Sequence, residues 1–247
     1  MDWTRATAIV GGAVCAVLGL SFARKALSGN GSSVLPGVPE VLNHGVELPE
    51  IKFVPAKWFT ATPAGTKRDI KWIVIHDAEF PETITAAEGV AAFFAAPGNM
   101  PDTKNPDGTI KPGGPRKVSA HYTSDSDSIV QSVKDNDVAY AAPPANDNGL
   151  HLELAGYAKQ SAADWDDPYS HAELELAAKL VAAKCIEYGI PPVGFLTPEE
   201  LLAGKRGITS HWNVSKAWKK SDHQDPGPNF PYDKFIAMVQ KYAGAAA

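Results

Sequence analysis

Three residues that lie far apart in the chain have the types needed to bind a catalytic metal. His76 ends the apolar run WIVIH, His211 lies in the segment TSHWNVS, and Asp225 precedes a Pro-Gly pair. Two imidazoles and one carboxylate are a common ligand set for a catalytic zinc ion that keeps one position open for water. If the fold brings the three residues together, the bound metal can generate a hydroxide-like nucleophile near neutral pH.

Each of these residues also has an ordinary structural explanation when it is taken alone. A histidine at the end of a strand can be a satisfied core residue, and aspartate before Pro-Gly is a common turn residue. Asp77, which follows His76, could orient the neighbouring imidazole or have a plain structural role. The sequence holds no contiguous metal motif such as HExxH. The metal site is therefore a prediction that depends on the fold.

The composition is ordinary for a globular protein that can bury a full core. The chain has 247 residues, of which 44% are hydrophobic and 21% are charged. One main domain with a small extension is expected for this length. The net charge of −5 and the lack of a Lys/Arg run predict that nucleic acid is not a partner. Cys15 and Cys185 form neither a disulfide framework nor a CxxC motif.

An uncharged apolar segment, residues 6–22, stands near the start of the sequence. As a helix it would be about 26 Å long, which is near the lower limit for crossing a bilayer. Three interpretations stay open. The segment is a membrane anchor or signal-anchor, a cleaved signal peptide, or a buried helix or packing element in a larger assembly.

The remaining sequence divides into a linker and one folded domain. Residues 1–27 contain the apolar segment, residues 28–50 form a linker rich in Gly, Ser and Pro, and residues 51–243 form the domain. Within the domain, short β-rich runs alternate with helical patterns. This predicts an α/β fold, with a central mixed β-sheet flanked by helices in a single domain, plus an apolar helix at the N-terminus.

The local patterns predict the elements of this domain. Strands are expected over residues 71–76 and 150–155, and a hairpin is expected to join 118–123 to 128–133. Helices are expected over residues 85–96, 170–188, 197–203 and 232–242. Capping boxes are predicted for Thr85 with Glu88 and for Ser170 with Glu173. The Pro/Gly-rich loop over residues 97–117 is long enough for a lid or a groove wall.

Five segments, taken in chain order, resemble one enzyme family. They are WIVIHDAE, VSAHYTSDSDSIVQSV, NGLHLELAGYA, GITSHWNVS and HQDPGPNFPYDKF, between residues 71 and 235. Together they resemble zinc-dependent N-acetylmuramoyl-L-alanine amidases of type 2, above all the amidase domains of phage endolysins, which are related to peptidoglycan recognition proteins. The most specific piece is DPGPNF downstream of SHW.

The resemblance implies an enzyme that cleaves the amide bond between N-acetylmuramic acid and L-alanine of the peptidoglycan stem peptide. It implies Zn²⁺ as the cofactor, with His76, His211 and Asp225 as ligands. Glu153, in the strand that reads HLEL where the family has GIEL, takes the place of the catalytic glutamate. His223 stands where the family often has lysine, and it is expected to stabilise an oxyanion.

Two further residues are predicted to contact the substrate. His121 lies on the hairpin strand, where a structural role is the alternative, and Tyr140 lies in AYAA where the family usually has AWHA. Three positions depart from the family pattern. Ala120 replaces a tyrosine of related phage lysozyme-type amidases, Ala141 replaces a histidine, and His151 replaces the glycine of GIEL. These changes bear on substrate fit and rate and leave the metal ligands unchanged.

The resemblance also implies a place of action and a source. Peptidoglycan is the expected partner, and the chain is expected to be encoded by a phage or prophage. It is expected to be membrane-anchored or secreted and to act on the cell wall, with virion association as a further option. Arg24 and Lys25 outnumber Arg5 around the apolar segment, which instead places the C-terminal side in the cytoplasm. This conflict stays open.

Two other functions stay open beside the enzyme. A peptidoglycan-binding module without catalysis is one, and the presence of all three metal ligands argues against it. An assembly component associated with a membrane or a virion is the other, and it is compatible with amidase activity.

Overall fold

The apolar run that contains His76 forms a central strand of a six-stranded sheet. The computed structural model describes residues 45–245. The strands are β1 (Lys52–Phe53), β2 (Phe59–Thr60), β3 (Trp72–Asp77), β4 (Thr103–Lys104), β5 (Ile110–Lys111), β6 (Tyr122–Ser124), β7 (Ile129–Gln131), β8 (Val138–Ala139), β9 (Gly149–Leu154) and β10 (Gly207–Ser210). The helices are α1 (Ala86–Ala95), α2 (Pro168–Tyr188), α3 (Pro198–Leu202), α4 (His211–Trp218) and α5 (Tyr232–Ala245).

The main sheet is mixed, with the strand order β1-β7-β6-β9-β3-β10. Strands β6, β9, β3 and β10 are parallel to their neighbours in this series, whereas β7 is antiparallel to β6 and parallel to β1. Two small antiparallel pairs, β2 with β8 and β4 with β5, lie outside it. The predicted α/β class and mixed sheet are confirmed. Parallel strands end at a common edge, which is where ligand sites of such sheets usually lie.

The register of the strands aligns four residues in one row across the sheet. His76 of β3 is paired with Glu153 of β9, Glu153 with Thr123 of β6, and Thr123 with Val130 of β7. Paired residues on adjacent strands point to the same face, and the strands are about 4.8 Å apart. His76 and Glu153 therefore project side by side from the sheet.

The two faces of the sheet differ in their side chains. Along β9, Leu152 and Leu154 point into the core beneath α2 and α5, whereas His151 and Glu153 point to the opposite face. Helix α1 covers part of that opposite face, where two of its alanines pack against Val130. On β3 the same face packs Trp72 and Val74 into a smaller apolar cluster with Leu201 and Val214, so the polar residues lie around His76, at the carboxyl end of β3.

The helix starts show where local patterns mislead. Helix α2 begins at Pro168, and the Asp167 side chain accepts a hydrogen bond from the Ser170 backbone N–H at 2.8 Å. The capping box predicted for Ser170 and Glu173 is wrong because Asp167 before Pro168 already supplies the cap. Thr85 precedes α1 but makes no side-chain cap bond, so the box predicted there is also wrong.

The folded part begins before residue 51, where the sequence pattern places the domain boundary. Val46 is buried in the core and Leu48 packs against it, although both fall in the predicted linker. The apolar segment 6–22 and most of the linker lie outside the described residues. Among residues 45–245, no helix is both long and apolar enough to cross a membrane.

Gly227 offers a test of how tightly the loop around Asp225 is packed. Its φ of 94° lies in the left-handed region, and a Cβ there would overlap the carbonyl oxygen of Ala158. Gly227→Ala is expected to lower the free energy of unfolding by more than backbone strain alone, because the backbone must move. Denaturant unfolding measures this loss.

Gly65 is the matched control for this substitution. Its φ of 81° is also left-handed, but a Cβ there would have no described atom within 4 Å. Gly65→Ala is expected to show only the strain of a left-handed residue, about 1–3 kcal/mol. Equal losses in the two variants would contradict the close packing at Gly227.

Candidate metal centre

The three predicted metal ligands meet beyond the carboxyl end of β3. His76 lies on β3, His211 is the first residue of α4, and Asp225 lies in the loop that follows α4. Nδ1 of His76 lies 3.1 Å from Nδ1 of His211 and 3.1 Å from Oδ2 of Asp225. Nδ1 of His211 lies 3.2 Å from the same oxygen. All three side chains are buried.

This triangle of donor atoms has the size that a tetrahedral zinc ion requires. Zinc bonds of about 2.0–2.1 Å at tetrahedral angles separate the ligand atoms by about 3.3 Å, and the observed separations are 3.1–3.2 Å. Two imidazole nitrogens that face each other at this distance need a proton or a cation between their lone pairs. The residues present therefore fit the zinc ion that the donor types suggest.

Backbone interactions bring the second and third ligands to the first. Strand β10 passes directly into α4, and the Ser210 side chain accepts a hydrogen bond from the Asn213 N–H at 3.2 Å, which caps the helix. This places His211 in the first turn of α4, beside the end of β3. The Trp212 N–H donates to the carbonyl oxygen of Asp225 at 3.0 Å. The loop that contains Asp225 is thereby tied to the start of α4.

His223 lies beside the triangle, on its solvent side. Its ring stacks on that of His211, with centroids 4.3 Å apart and planes 18° apart. Its Nδ1 lies 3.3 Å from Oδ1 of Asp225, and 60% of its side chain is exposed. The hydrogen bond to Asp225 raises the pKa of His223 above 6.5. The position is suited to a cationic group that faces a bound substrate.

Glu153 lies beside His76 in the sheet and is 9% exposed. Burial raises the pKa of its carboxyl group well above 4.5, and the negative charges of Asp225 and Asp77 raise the pKa further. A carboxyl group with a raised pKa binds a proton more readily than an ordinary carboxylate does. This is the property that an acid–base residue in an amide hydrolase needs.

The outer nitrogen of His76 is held by His151 rather than by Asp77. Nε2 of His76 lies 3.1 Å from Nδ1 of His151, whereas Asp77, the next residue of the strand, points to the opposite face. Burial raises the pKa of Asp77 to about 8. The sequence marks His151 only as a bulky replacement for glycine, and its contact with a predicted ligand becomes visible only from the strand register.

His121 is completely buried beneath the site. Its Nδ1 accepts a hydrogen bond from the His151 backbone N–H at 3.0 Å. Its Nε2 lies 3.0 Å from the carbonyl oxygen of Asp137 and 3.0 Å from the guanidinium of Arg68. These contacts are structural. The predicted contact of His121 with substrate stays a prediction, and the geometry does not support it.

Tyr140 is half-buried in the segment that follows β8. Its hydroxyl lies 2.7 Å from the hydroxyl of Thr60, and its backbone N–H donates to the Ser119 hydroxyl at 3.0 Å. The neighbouring Ala141, which stands where the family pattern has histidine, donates its N–H to the side chain of Asn146. The substrate contact predicted for Tyr140 stays a prediction.

Arg68 holds the loops beneath the site, and no sequence pattern singles it out from its charged surroundings. Its guanidinium donates to backbone carbonyl oxygens rather than to a carboxylate. The bonds are 2.5–3.2 Å long, and the acceptors belong to Asp135, Asp137, Asn146, Asp147 and Gly149. Arg68 thus joins the segments on both sides of β8 to the start of β9.

A comparison with known families decides the classification. The sequence model of the family described as N-acetylmuramoyl-L-alanine amidase matches residues 66–228, which is about two thirds of the chain. The chain belongs to this family. The match includes all three predicted ligands, Glu153 and His223. It confirms the predicted family and the predicted activity, an amidase that acts on peptidoglycan.

The solved structure of one hydrolase shares the fold of this chain. The hydrolase AmiA of Staphylococcus aureus, solved with its ligand, is 15% identical at a TM-score of 0.54, over 82% of this chain and 87% of that one. A selenomethionine AmpD derivative is 20% identical at a TM-score of 0.47, over 79% and 97%. The endolysin amidase LysCS of Clostridium intestinale URNW is 16% identical at a TM-score of 0.45, over 79% of this chain and 99% of that one. No curated protein matches the amidase in sequence.

The buried histidine beneath the site predicts an acid-sensitive fold. Burial, and next the charge of Arg68, lower the pKa of His121 from 6.5 to about 3. Between these values the unfolded chain binds a proton that the folded protein does not bind, so stability falls as the pH drops below about 6.5. The metal-free amidase is therefore expected to melt at a lower temperature at pH 5 than at pH 7.

The variant His121→Asn isolates this contribution. Its amide oxygen can accept the same hydrogen bond from His151, but the side chain binds no proton in this range. Its melting temperature, followed by circular dichroism in a chelator, is expected to decline less steeply from pH 7 to pH 5 than that of the wild type. Parallel declines would show that His121 is not responsible.

Proposed function

We propose that this amidase cleaves the bond between N-acetylmuramic acid and L-alanine with a zinc ion held by His76, His211 and Asp225. The observation that supports this most directly is the buried triangle of donor atoms, with sides of 3.1–3.2 Å. When bound there, a zinc ion would lower the pKa of a bound water toward neutral and would polarise the scissile carbonyl. The protein's own residues then handle the protons and the developing charge.

Glu153 is the proposed acid–base residue. It accepts the proton of the attacking water and returns it to the leaving amine of L-alanine. Its neighbours support this task, because burial and the charges of Asp225 and Asp77 raise its pKa and so make the protonated form accessible. Its pairing with His76 in the sheet keeps the carboxyl group on the side where the ligands meet.

His223 is the proposed stabiliser of the oxyanion. Its Nδ1 is engaged with Asp225 and its ring is stacked on His211, which fixes the ring without removing it from solvent. In the protonated form it donates to the carbonyl oxygen as negative charge develops there. An imidazole has this charge over a narrower pH range than the lysine that the family often has at this position.

Removal of the metal is the direct test of the proposed chemistry. The purified full-length chain is expected to release stem peptides with a free L-alanine amino terminus from peptidoglycan, as read by mass spectrometry. A chelator should abolish the release, and added zinc should restore it. Magnesium should not restore it, because that ion prefers oxygen ligands in octahedral geometry. Full activity in the chelator would contradict the zinc site.

Glu153→Gln separates acid–base catalysis from metal binding. The amide cannot take up the proton of water, so kcat is expected to fall by about 10²–10⁴-fold, while the zinc content stays unchanged. Peptide release and zinc content are measured on the same preparation. A variant with wild-type turnover would remove Glu153 from the mechanism.

Glu173→Gln is the matched control for that substitution. Glu173 is likewise a buried glutamate whose pKa burial raises well above 4.5, but it lies on α2 and accepts a hydrogen bond from the Ala155 backbone N–H. The same change of one carboxyl group to an amide is expected to leave turnover close to that of the wild type.

A further inference from the structure

The two imidazoles of the metal centre differ in what their outer nitrogens contact. Nε2 of His76 lies 3.1 Å from Nδ1 of His151, and both rings are buried. Nε2 of His211 is also buried, but it has no hydrogen-bond partner among residues 45–245. Within the described residues, an outer contact is thus made for one of the two imidazoles, by His151, which stands where the family pattern has glycine.

The position of the protons follows from this difference. The carboxylate of Asp225 can accept a hydrogen bond from the Nδ1–H of either imidazole, because its Oδ2 lies 3.1 Å from Nδ1 of His76 and 3.2 Å from Nδ1 of His211. In the described part of the chain, only His76 has a second acceptor, the Nδ1 of His151. If Nδ1 of His76 binds the metal, the proton of the neutral His76 ring lies on Nε2, where it is donated to Nδ1 of His151.

We infer that His151 is a positioning residue, which holds His76 in the tautomer that binds the metal. This inference rests on the proposed zinc site and adds a residue to it. Metal-binding histidines generally donate their other N–H to a carboxylate, a backbone carbonyl or water. Here the acceptor is a neutral imidazole, which fixes the ring without adding a negative charge beside the metal.

Packing holds the His151 ring in place for this contact. The ring stacks on that of His121, with centroids 5.6 Å apart and planes 17° apart, and the His151 backbone N–H donates to Nδ1 of His121. Gly149 has no side chain, and this leaves room for the His151 ring. A Cβ there would lie 3.1 Å from Nε2 of His151 and 2.7 Å from the carbonyl oxygen of Ala145.

The Nε2 atom of His151 argues against a purely stabilising role for this residue. When Nδ1 accepts from His76, the proton of His151 lies on Nε2. That nitrogen is buried and has no hydrogen-bond partner within residues 45–245. A buried donor without a partner destabilises a fold, and an apolar side chain would fill the same space without this penalty. The contact with His76 is what requires a hydrogen-bond acceptor here.

Two substitutions in the full-length chain test the inference. His151→Leu fills the space but removes the acceptor, and His151→Asn keeps an acceptor oxygen in place of Nδ1. Zinc affinity is measured by competition with a chromophoric chelator. We expect His151→Leu to bind zinc about 10–100-fold more weakly than the wild type, and His151→Asn to recover most of that loss. The melting temperature of each variant checks that it is folded.

Thr123→Val is the matched control, because Thr123 is buried on the same face of the sheet and its hydroxyl makes no hydrogen bond in the described part of the chain. It is expected to bind zinc as the wild type does. A second readout needs no metal. In protein labelled with ¹⁵N-histidine, NMR should show His76 of the metal-free wild type protonated on Nε2, and a mixture of tautomers in His151→Leu.

The outcomes separate the inference from the zinc site on which it rests. Wild-type protein that binds no zinc would overturn the metal site, and the inference with it. A folded His151→Leu variant with wild-type zinc affinity would overturn the inference alone. Equal weakening in the Leu and Asn variants would also overturn it, because shape rather than the acceptor would then be responsible. Protonation of His76 on Nδ1 in the metal-free wild type would likewise overturn the inference about His151.

Discussion

Six residue pairs align β3 with β9, from Trp72 opposite Gly149 to Asp77 opposite Leu154. A shift of this register by one residue would turn every side chain of one strand to the other face of the sheet. His76 would then lose both of its neighbours on β9, Glu153 beside it and His151 at its outer nitrogen. The site depends on this pairing because one face of β9 is made of leucines that only the core can accept. The hydrophobic core thus fixes the position of the polar residues.

The other two ligands depend on a different kind of constraint. His211 follows β10 without a loop, so its position is set by the pairing of β10 with β3. Asp225 lies on an irregular segment, which has no ladder to fix it. One backbone bond from Trp212 and the close packing of Gly227 against Ala158 take the place of the ladder. The regular part of the fold therefore positions the imidazoles, and local contacts position the carboxylate.

The sequence could predict the residue types of the site better than their contacts. His76, His211 and Asp225 could be selected from their types and from the family resemblance, and the strands around them from their apolar runs. The partnership of His76 with His151 could not be predicted, because it depends on which residues of two distant strands lie opposite each other. For the same reason Arg68 was missed, since its acceptors are backbone carbonyl groups, which no side-chain pattern encodes. The capping box at Ser170 failed because a stronger local signal, Asp167 before Pro168, lies just upstream.

The acceptors of Arg68 have a consequence for the behaviour of the fold in acid. A guanidinium remains charged throughout the accessible pH range, and backbone carbonyl groups do not titrate. The five bonds that gather the loops beneath the site therefore have no protonation step that could break them. An ion pair such as that of Lys184 with Asp135 disappears when its carboxylate is neutralised. The amidase has thus tied these loops together with bonds that are independent of proton concentration, whereas His121, which lies 3.0 Å from the same guanidinium, is the neighbouring group that responds to acid.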